Sequence, residues 1–127
     1  MKKIIKKFAL FALFSTLILA SCKKETPEPE KKKYTITYFA DLPPVGQFKV
    51  ITYGVKGYVY TDTTYSDQFY ITLNMESGDI LSLDANCNIT TPSEAVHVEI
   101  KVDGNATSYQ TVVGTGNQTA YCYYKLP

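Results

Sequence analysis

The sequence predicts an all-β fold, an antiparallel β-sandwich of about seven strands. From Tyr34 onward, apolar and polar residues alternate with a period of two in most segments, which is typical of strands with one buried and one solvent-facing side. No segment in this part of the chain shows helical periodicity over three turns. Turn-forming residues also recur at short intervals, as they do where short strands are joined by tight connections.

The alternation is clearest in five segments, which begin at Tyr34, Phe69, Leu81, Val96 and Ala120. Between Phe48 and Tyr60 the pattern is less regular, and Gly54 and Gly57 predict a bend or bulge there. The clearest turn is Asp103-Gly104, because Asp-Gly suits a type I′ turn and strand-like residues flank it. About seven short strands in about 94 residues are typical of a two-sheet sandwich of the immunoglobulin type.

The first residues of the chain predict export. A basic start, Lys2 to Lys7, precedes an uncharged and mostly apolar run, Phe8 to Ala20. That run is shorter than the ~20 apolar residues needed to span a bilayer. The combination of a basic start, a short apolar run and small residues at its end indicates a secretory signal peptide, residues 1–21.

The end of this leader resembles a known processing motif. Leu19-Ala20-Ser21-Cys22 is similar to the lipobox of bacterial lipoproteins. The resemblance implies cleavage before Cys22, diacylation of its thiol and a third acyl chain, such as palmitate, on the freed amine. Lys23 stands where many inner-membrane lipoproteins have aspartate, so the resemblance favours an outer-membrane lipid anchor, on the periplasmic or the cell-surface side.

Residues 22–33 are expected to be a lipidated cysteine and a flexible tether. Residues 23–33 contain five lysines, three glutamates, two prolines and one threonine, with no apolar side chain to offset the entropy cost of ordering. A solvated spacer is the favoured interpretation, and lysines lying on anionic head groups are the alternative. The remaining residues, 34–127, are expected to form one domain.

The charge of this domain differs from that of the whole chain. From Tyr34 onward there are four lysines, no arginine and nine acidic residues, which gives 4 − 9 = −5. An acidic domain without arginine is poorly suited to neutralise phosphates, so nucleic acid is not expected as a partner.

Several stretches of the domain carry a family resemblance. They are an N-terminal Tyr-Thr-Ile-Thr-Tyr, "MESGDILSLDA", "AVHVEIKVDG" and a closing "AYCYYKL". In this order they resemble small envelope proteins related to the mycobacterial membrane protein small family. That family's Leu-Pro-Trp is absent, and Gln68-Phe69-Tyr70 stands near its place. The resemblance implies a membrane-anchored, immunoglobulin-like sandwich that assists large lipid and siderophore exporters, and therefore an interaction or transport-accessory module.

Residues that could carry catalysis are scarce. His97 is the single histidine, and it lies on the solvent-facing register beside Glu99, where a surface residue is more typical than a general base. No Gly-x-Ser-x-Gly motif and no metal-ligand spacing of cysteines or histidines is present. No enzyme activity, metal or cofactor is expected.

Tyrosine is unusually abundant: the chain has eleven and no tryptophan. On the solvent-facing register, Tyr58, Tyr60, Tyr121 and Tyr123 are candidates for an aromatic binding face that stacks on sugar rings or anchors a partner. The alternative, which we favour from the sequence, is that tyrosine suits half-buried strands. If the face is used, a glycan- or lipid-binding surface lipoprotein is the second candidate function, with a surface glycan as its partner. For the interaction or transport-accessory module, the expected partner is an envelope transporter.

The last expectation concerns the cysteines. If lipid occupies Cys22, then Cys87 and Cys122 remain as an even pair in an oxidising compartment. Both lie on the apolar register of their strands, so they could face one another. A bridge requires Cα atoms within about 7 Å, and buried free thiols are the alternative. We predict the bridge.

Overall fold

Eight strands make up the folded part of the chain, where the sequence predicts about seven. The computed structural model describes residues 26–44, 49–64 and 66–127. Within these ranges the strands are β1 (Lys33–Asp41), β2 (Lys49–Val55), β3 (Tyr58–Thr64), β4 (Gln68–Glu76), β5 (Ile80–Ile89), β6 (Ala95–Val102), β7 (Asn105–Val113) and β8 (Gly116–Lys125). The described residues include no helix long and apolar enough to cross a membrane.

The eighth strand comes from the irregular segment before Tyr60. The chain turns sharply at Lys56 and Gly57, which both have positive φ, 50° and 81°. Two such residues are the signature of a type I′ turn, so this segment is a hairpin of β2 and β3 and not one bent strand. The Asp103-Gly104 hairpin is confirmed, with φ of 50° and 80° between β6 and β7.

The predicted signal peptide and Cys22 lie outside the described residues. Residues 26–30 are exposed and have no regular secondary structure. Residues Lys31–Pro127 form a compact unit of their own.

The strands form two antiparallel sheets of four. Sheet A has the order β4-β1-β6-β7, and sheet B has the order β3-β2-β5-β8. In an immunoglobulin constant domain the first two strands share a sheet, whereas here β1 and β2 belong to different sheets. The sandwich is therefore as predicted, but its strand order is not that of an immunoglobulin constant domain.

The core lies between the sheets and is built by the predicted alternation. Along β5, Leu81, Leu83 and Ala85 are fully buried while Ser82 and Asp84, on the other face, are only partly covered. The same two-residue period buries one side of β1 and β6. The burial of these apolar faces is the main source of the stability of the domain.

Direct hydrogen bonds also join the two sheets. At one side, where β7 and β8 are edge strands of different sheets, the Tyr121 N–H donates to Gln110 Oε1 at 2.6 Å and the Tyr123 N–H donates to Ser108 Oγ at 3.3 Å. These bonds satisfy main-chain donors on the edge of β8 that β5 does not use. In the centre, the Tyr38 hydroxyl on β1 donates to the Gly54 carbonyl oxygen on β2.

Cys87 and Cys122 are both buried, and both are free thiols. The register places Cys87 of β5 opposite Gln118 and places Cys122 opposite Leu83. The two cysteines are thus offset by four residues along paired strands, about 14 Å at ~3.4 Å per residue. This is about twice the separation that a bridge can span. The predicted bridge is therefore wrong in this structure.

Lys49 was not expected in the core, yet it is fully buried at the start of β2. Its Nζ donates to the Ser66 carbonyl oxygen at 3.1 Å and lies 3.4 Å from Asp67 Oδ1. Lysine is rarely buried unless it is paired, and these two contacts supply the pairing. Lys49 thereby ties β2 to the connection between β3 and β4.

Candidate functional site

The four tyrosines chosen from the sequence do not share one face. Tyr58 and Tyr60 lie on β3, opposite Val55 and Tyr53, on the side of sheet B that faces the core. Tyr60 stacks on Tyr53 with ring centroids 5.6 Å apart and planes 18° from parallel. Tyr60 therefore covers the flank of the core at the β3 edge, although half of its surface remains exposed.

Tyr121 and Tyr123 lie on β8, at the opposite edge of the same sheet, and point to its outer side. They are opposite Asp84 and Ser82 of β5 and are 48% and 46% exposed. Two of the four predicted residues are thus brought together, and we call Tyr121 and Tyr123 the tyrosine pair.

A larger aromatic group lies on the outer side of sheet A, and the sequence analysis did not select it. Pairing across the sheet aligns four residues in one line: Tyr70, Phe39, Glu99 and Tyr109. His97 bridges the rings, since its centroid is 6.4 Å from that of Phe39 and 6.3 Å from that of Tyr109. We call Phe39, Tyr70, His97 and Tyr109 the aromatic row.

The ends of the aromatic row are the parts most open to solvent. Tyr70 on edge strand β4 is 69% exposed, and Tyr109 on edge strand β7 is 70% exposed. The side chains of Thr72 and Thr37 lower the pKa of the Tyr70 phenol through hydrogen bonding.

Polar groups lie within the same face. Lys101 Nζ is 3.3 Å from Glu99 Oε2 and 5.9 Å from the centre of the Phe39 ring, so one ammonium contacts both a carboxylate and an aromatic face. His97 Nδ1 is 2.7 Å from Thr111 Oγ1, which fixes the imidazole on the sheet surface. Aromatic residues are enriched at protein interfaces, and this face combines them with charged and polar groups.

One signal for this face is present in the sequence. His97 was placed correctly on the solvent-facing register of its strand. Phe39, Tyr70 and Tyr109 occupy the same register of three other strands, but only the strand order β4-β1-β6-β7 shows that they are neighbours. That order depends on long-range pairing, which alternation alone does not specify.

The described residues offer no arrangement suited to metal binding: no three histidine, cysteine, aspartate or glutamate residues among them are close enough to hold an ion. A cavity of about 410 Å³ opens near the start of β1 and is lined in part by Lys33, Lys56, Glu76 and Asp103. Its charged side chains are balanced in sign, and the lining includes no histidine or cysteine. The exposed aromatic surfaces are the stronger candidates for a functional site.

No family model matches the chain, and no curated protein matches it either.

Proposed function

We propose that this chain is a non-enzymatic envelope lipoprotein, anchored by lipid on Cys22 in the outer membrane, and that its β-domain is an interaction module. The observation that carries the proposal is the aromatic row. Aromatic residues are favoured anchors at protein interfaces because they bury a large area with little loss of side-chain freedom. Tyr70 and Tyr109 have exposed rings whose apolar area a partner can bury.

The partner we expect is another envelope protein. The resemblance to the mycobacterial membrane protein small family favours a transporter, in which case the domain would act as an accessory subunit. Lys101 and Glu99 beside Phe39 would supply charged contacts within the interface. Such contacts favour a partner with complementary charges over other proteins.

Co-purification tests this proposal. The full-length tagged protein is purified from its native membranes in detergent, and the bound proteins are quantified by mass spectrometry. We expect a defined set of envelope proteins that is lost with Tyr70→Ala and Tyr109→Ala together. Tyr58→Ala is the matched control, because Tyr58 is equally exposed, at 70%, but lies on another strand of the other sheet. If the row variant and the control retain the same proteins, the row is not the interface.

Glycan or lipid binding is the second candidate function. It is favoured by the tyrosine pair, which lies on the other sheet from the aromatic row and has different neighbours. The two candidates therefore assign different residues and are separable by mutation.

A further inference from the structure

The tyrosine pair borders a strip of small polar residues on the outer side of sheet B. Tyr121 is opposite Asp84, which is opposite Thr52 of β2. Tyr123 is opposite Ser82, and the next position on β2 is Gly54. The residues directly across from these two aromatic side chains, on β5 and β2, are thus short.

At Gly54 no side chain projects from this surface. A Cβ added at Gly54 would lie 2.7 Å from Ser82 Oγ, so the serine hydroxyl occupies the space above the glycine. Asn86, the next outward residue after Asp84, donates from Nδ2 to Thr119 Oγ1 at 2.8 Å, which leaves its amide oxygen on an exposed part of the sheet. The strip, defined as Ser82, Asp84 and Asn86 along β5 with Thr52 beside Asp84 on β2, therefore presents hydroxyl, carboxylate and amide groups.

Asp84 is the notable member of the strip. Its side chain is partly buried, and burial raises its pKa. No lysine among the described residues forms an ion pair with it; the two ion pairs found there involve Asp67 and Glu99. A partly desolvated carboxylate without a cation gains from a ligand that donates hydrogen bonds.

We propose that the tyrosine pair and the strip form a binding site for a neutral polysaccharide, an inference that rests on the second candidate function and assigns its residues. A pyranose ring has an apolar C–H face, which stacks on an aromatic ring, and hydroxyl groups at its edge, which donate to a carboxylate. Outward residues two positions apart on a strand are about 7 Å apart, so Tyr121 and Tyr123 contact neighbouring sugar units.

The negative charge of the domain favours a neutral polysaccharide over an anionic one. The domain has a net charge of −5, from four lysines and nine acidic residues after Tyr34. The strip itself contains a carboxylate and no cationic side chain, and the nearest lysine on this register is Lys125, which follows Tyr123 at the end of β8. An anionic polysaccharide would be repelled by both, whereas a neutral chain meets only donors and acceptors that its hydroxyls can pair.

Affinity electrophoresis of the purified full-length protein tests the site. Native gels are cast with a soluble β-glucan, a xylan or a galactomannan, and with polygalacturonate as the anionic comparison. We expect retardation in at least one neutral gel and none with polygalacturonate. Tyr121→Ala, Tyr123→Ala and Asp84→Ala should each weaken the retardation about tenfold, the loss expected for one stacking contact or one charged hydrogen bond. Tyr58→Ala, at an exposed tyrosine outside both proposed sites, should leave it unchanged.

Three results would overturn the inference. They are no retardation of the wild-type protein in any neutral gel, retardation that survives all three site variants, and equal loss with Tyr58→Ala. A photo-reactive residue in place of Tyr123 provides a second measurement in cells. It should form adducts with carbohydrate, and adducts with protein alone would make this face a protein interface instead. None of these outcomes changes the test of the aromatic row, which uses Tyr70 and Tyr109.

Discussion

The hydroxyl of Tyr38 donates a hydrogen bond of 2.5 Å to the carbonyl oxygen of Gly54, and this bond connects the two sheets through the middle of the core. Tyr38 is fully buried. Burial raises the pKa of its phenol above the usual range, although a hydrogen bond with the Ser82 main chain opposes that shift. The phenol is therefore a neutral donor under ordinary conditions, and the Gly54 carbonyl is satisfied by a residue of the opposite sheet.

Removal of that donor should be costly. Tyr38→Phe retains the ring but leaves the Gly54 carbonyl without its cross-sheet partner, so we expect a loss of about 1–3 kcal/mol in the free energy of unfolding. Urea titration followed by circular dichroism measures it. Tyr109→Phe, at an exposed position, should change stability by less than about 0.5 kcal/mol. Equal effects of the two changes would show that the buried hydrogen bond contributes nothing net.

The Lys49–Asp67 pair should respond unequally to loss of either member. Asp67→Ala leaves a buried ammonium without its carboxylate, and we expect a cost of about 2 kcal/mol. Lys49→Met leaves only a carboxylate whose side chain is 50% exposed, which water can solvate, so the cost should be within about 1 kcal/mol. The urea midpoints of the two variants show which is the less stable. An Asp67→Ala variant more stable than Lys49→Met would contradict the argument.

Alkaline pH should weaken the fold through Cys122. Burial, with a smaller effect of Glu99, raises the pKa of this thiol from 9.0 to about 12. The folded state therefore retains a proton that the unfolded state releases near pH 9, so this contribution to stability is complete below pH 9 and is lost as the pH rises towards 12. We expect unfolding at pH 11 to require about 1–3 kcal/mol less than at pH 8.

Cys122→Ala is the control for that dependence. It should give a shallower decline between pH 9 and pH 11, with the remainder due to groups such as Tyr38. An identical pH profile in the variant would exclude Cys122 as the source.

Cys87 and Cys122 should both be detectable as free thiols by alkylation. In the unit Lys31–Pro127, denatured without reductant, Cys87 and Cys122 should both react with an alkylating agent, because the register keeps them apart. In the folded protein both should react slowly, since burial raises the pKa of each thiol. The intact mass of the alkylated protein, with and without prior reduction, gives the number of free thiols. Alkylation of the two cysteines only after reduction would show that they form a disulfide.

Cys22→Ala tests the lipid anchor. We expect the variant to accumulate as an uncleaved precursor that takes up no labelled palmitate, because the thiol that is acylated before cleavage is gone. Ser21→Ala, which keeps a small residue before the cysteine, should be processed normally. Normal cleavage or labelling of Cys22→Ala would refute the lipoprotein proposal.

The sequence predicted faces of strands well and neighbours of strands poorly. Leu81, Leu83 and Ala85 were placed in the core correctly because the side-chain period of a strand is two, whatever its partners. Tyr58 and Tyr60 were assigned to the solvent side, but the Lys56-Gly57 turn pairs Tyr60 with Tyr53 and so turns both towards the core. A single tight turn in an irregular segment decided that orientation.

Two other differences between the sequence predictions and the structure have the same origin. Whether Cys87 and Cys122 meet depends on the register between β5 and β8, and a shift of four residues separates them without changing the face that either occupies. The burial of Lys49 depends on Asp67 and Ser66, which the chain returns to it from the far end of β3. Local patterns contain no information on such distant pairings.

The position of β1 in sheet A has a consequence for how the chain acquires its structure. Both neighbours of β1, strands β4 and β6, come later in the sequence, and its pairing begins only with Gln68 and extends to Val102. A nascent chain cannot complete its first strand until most of the domain has been synthesised, and contacts of such high sequence separation fold slowly. Slow folding leaves the polypeptide unfolded for longer after synthesis, which is the state that the export we propose for this chain requires.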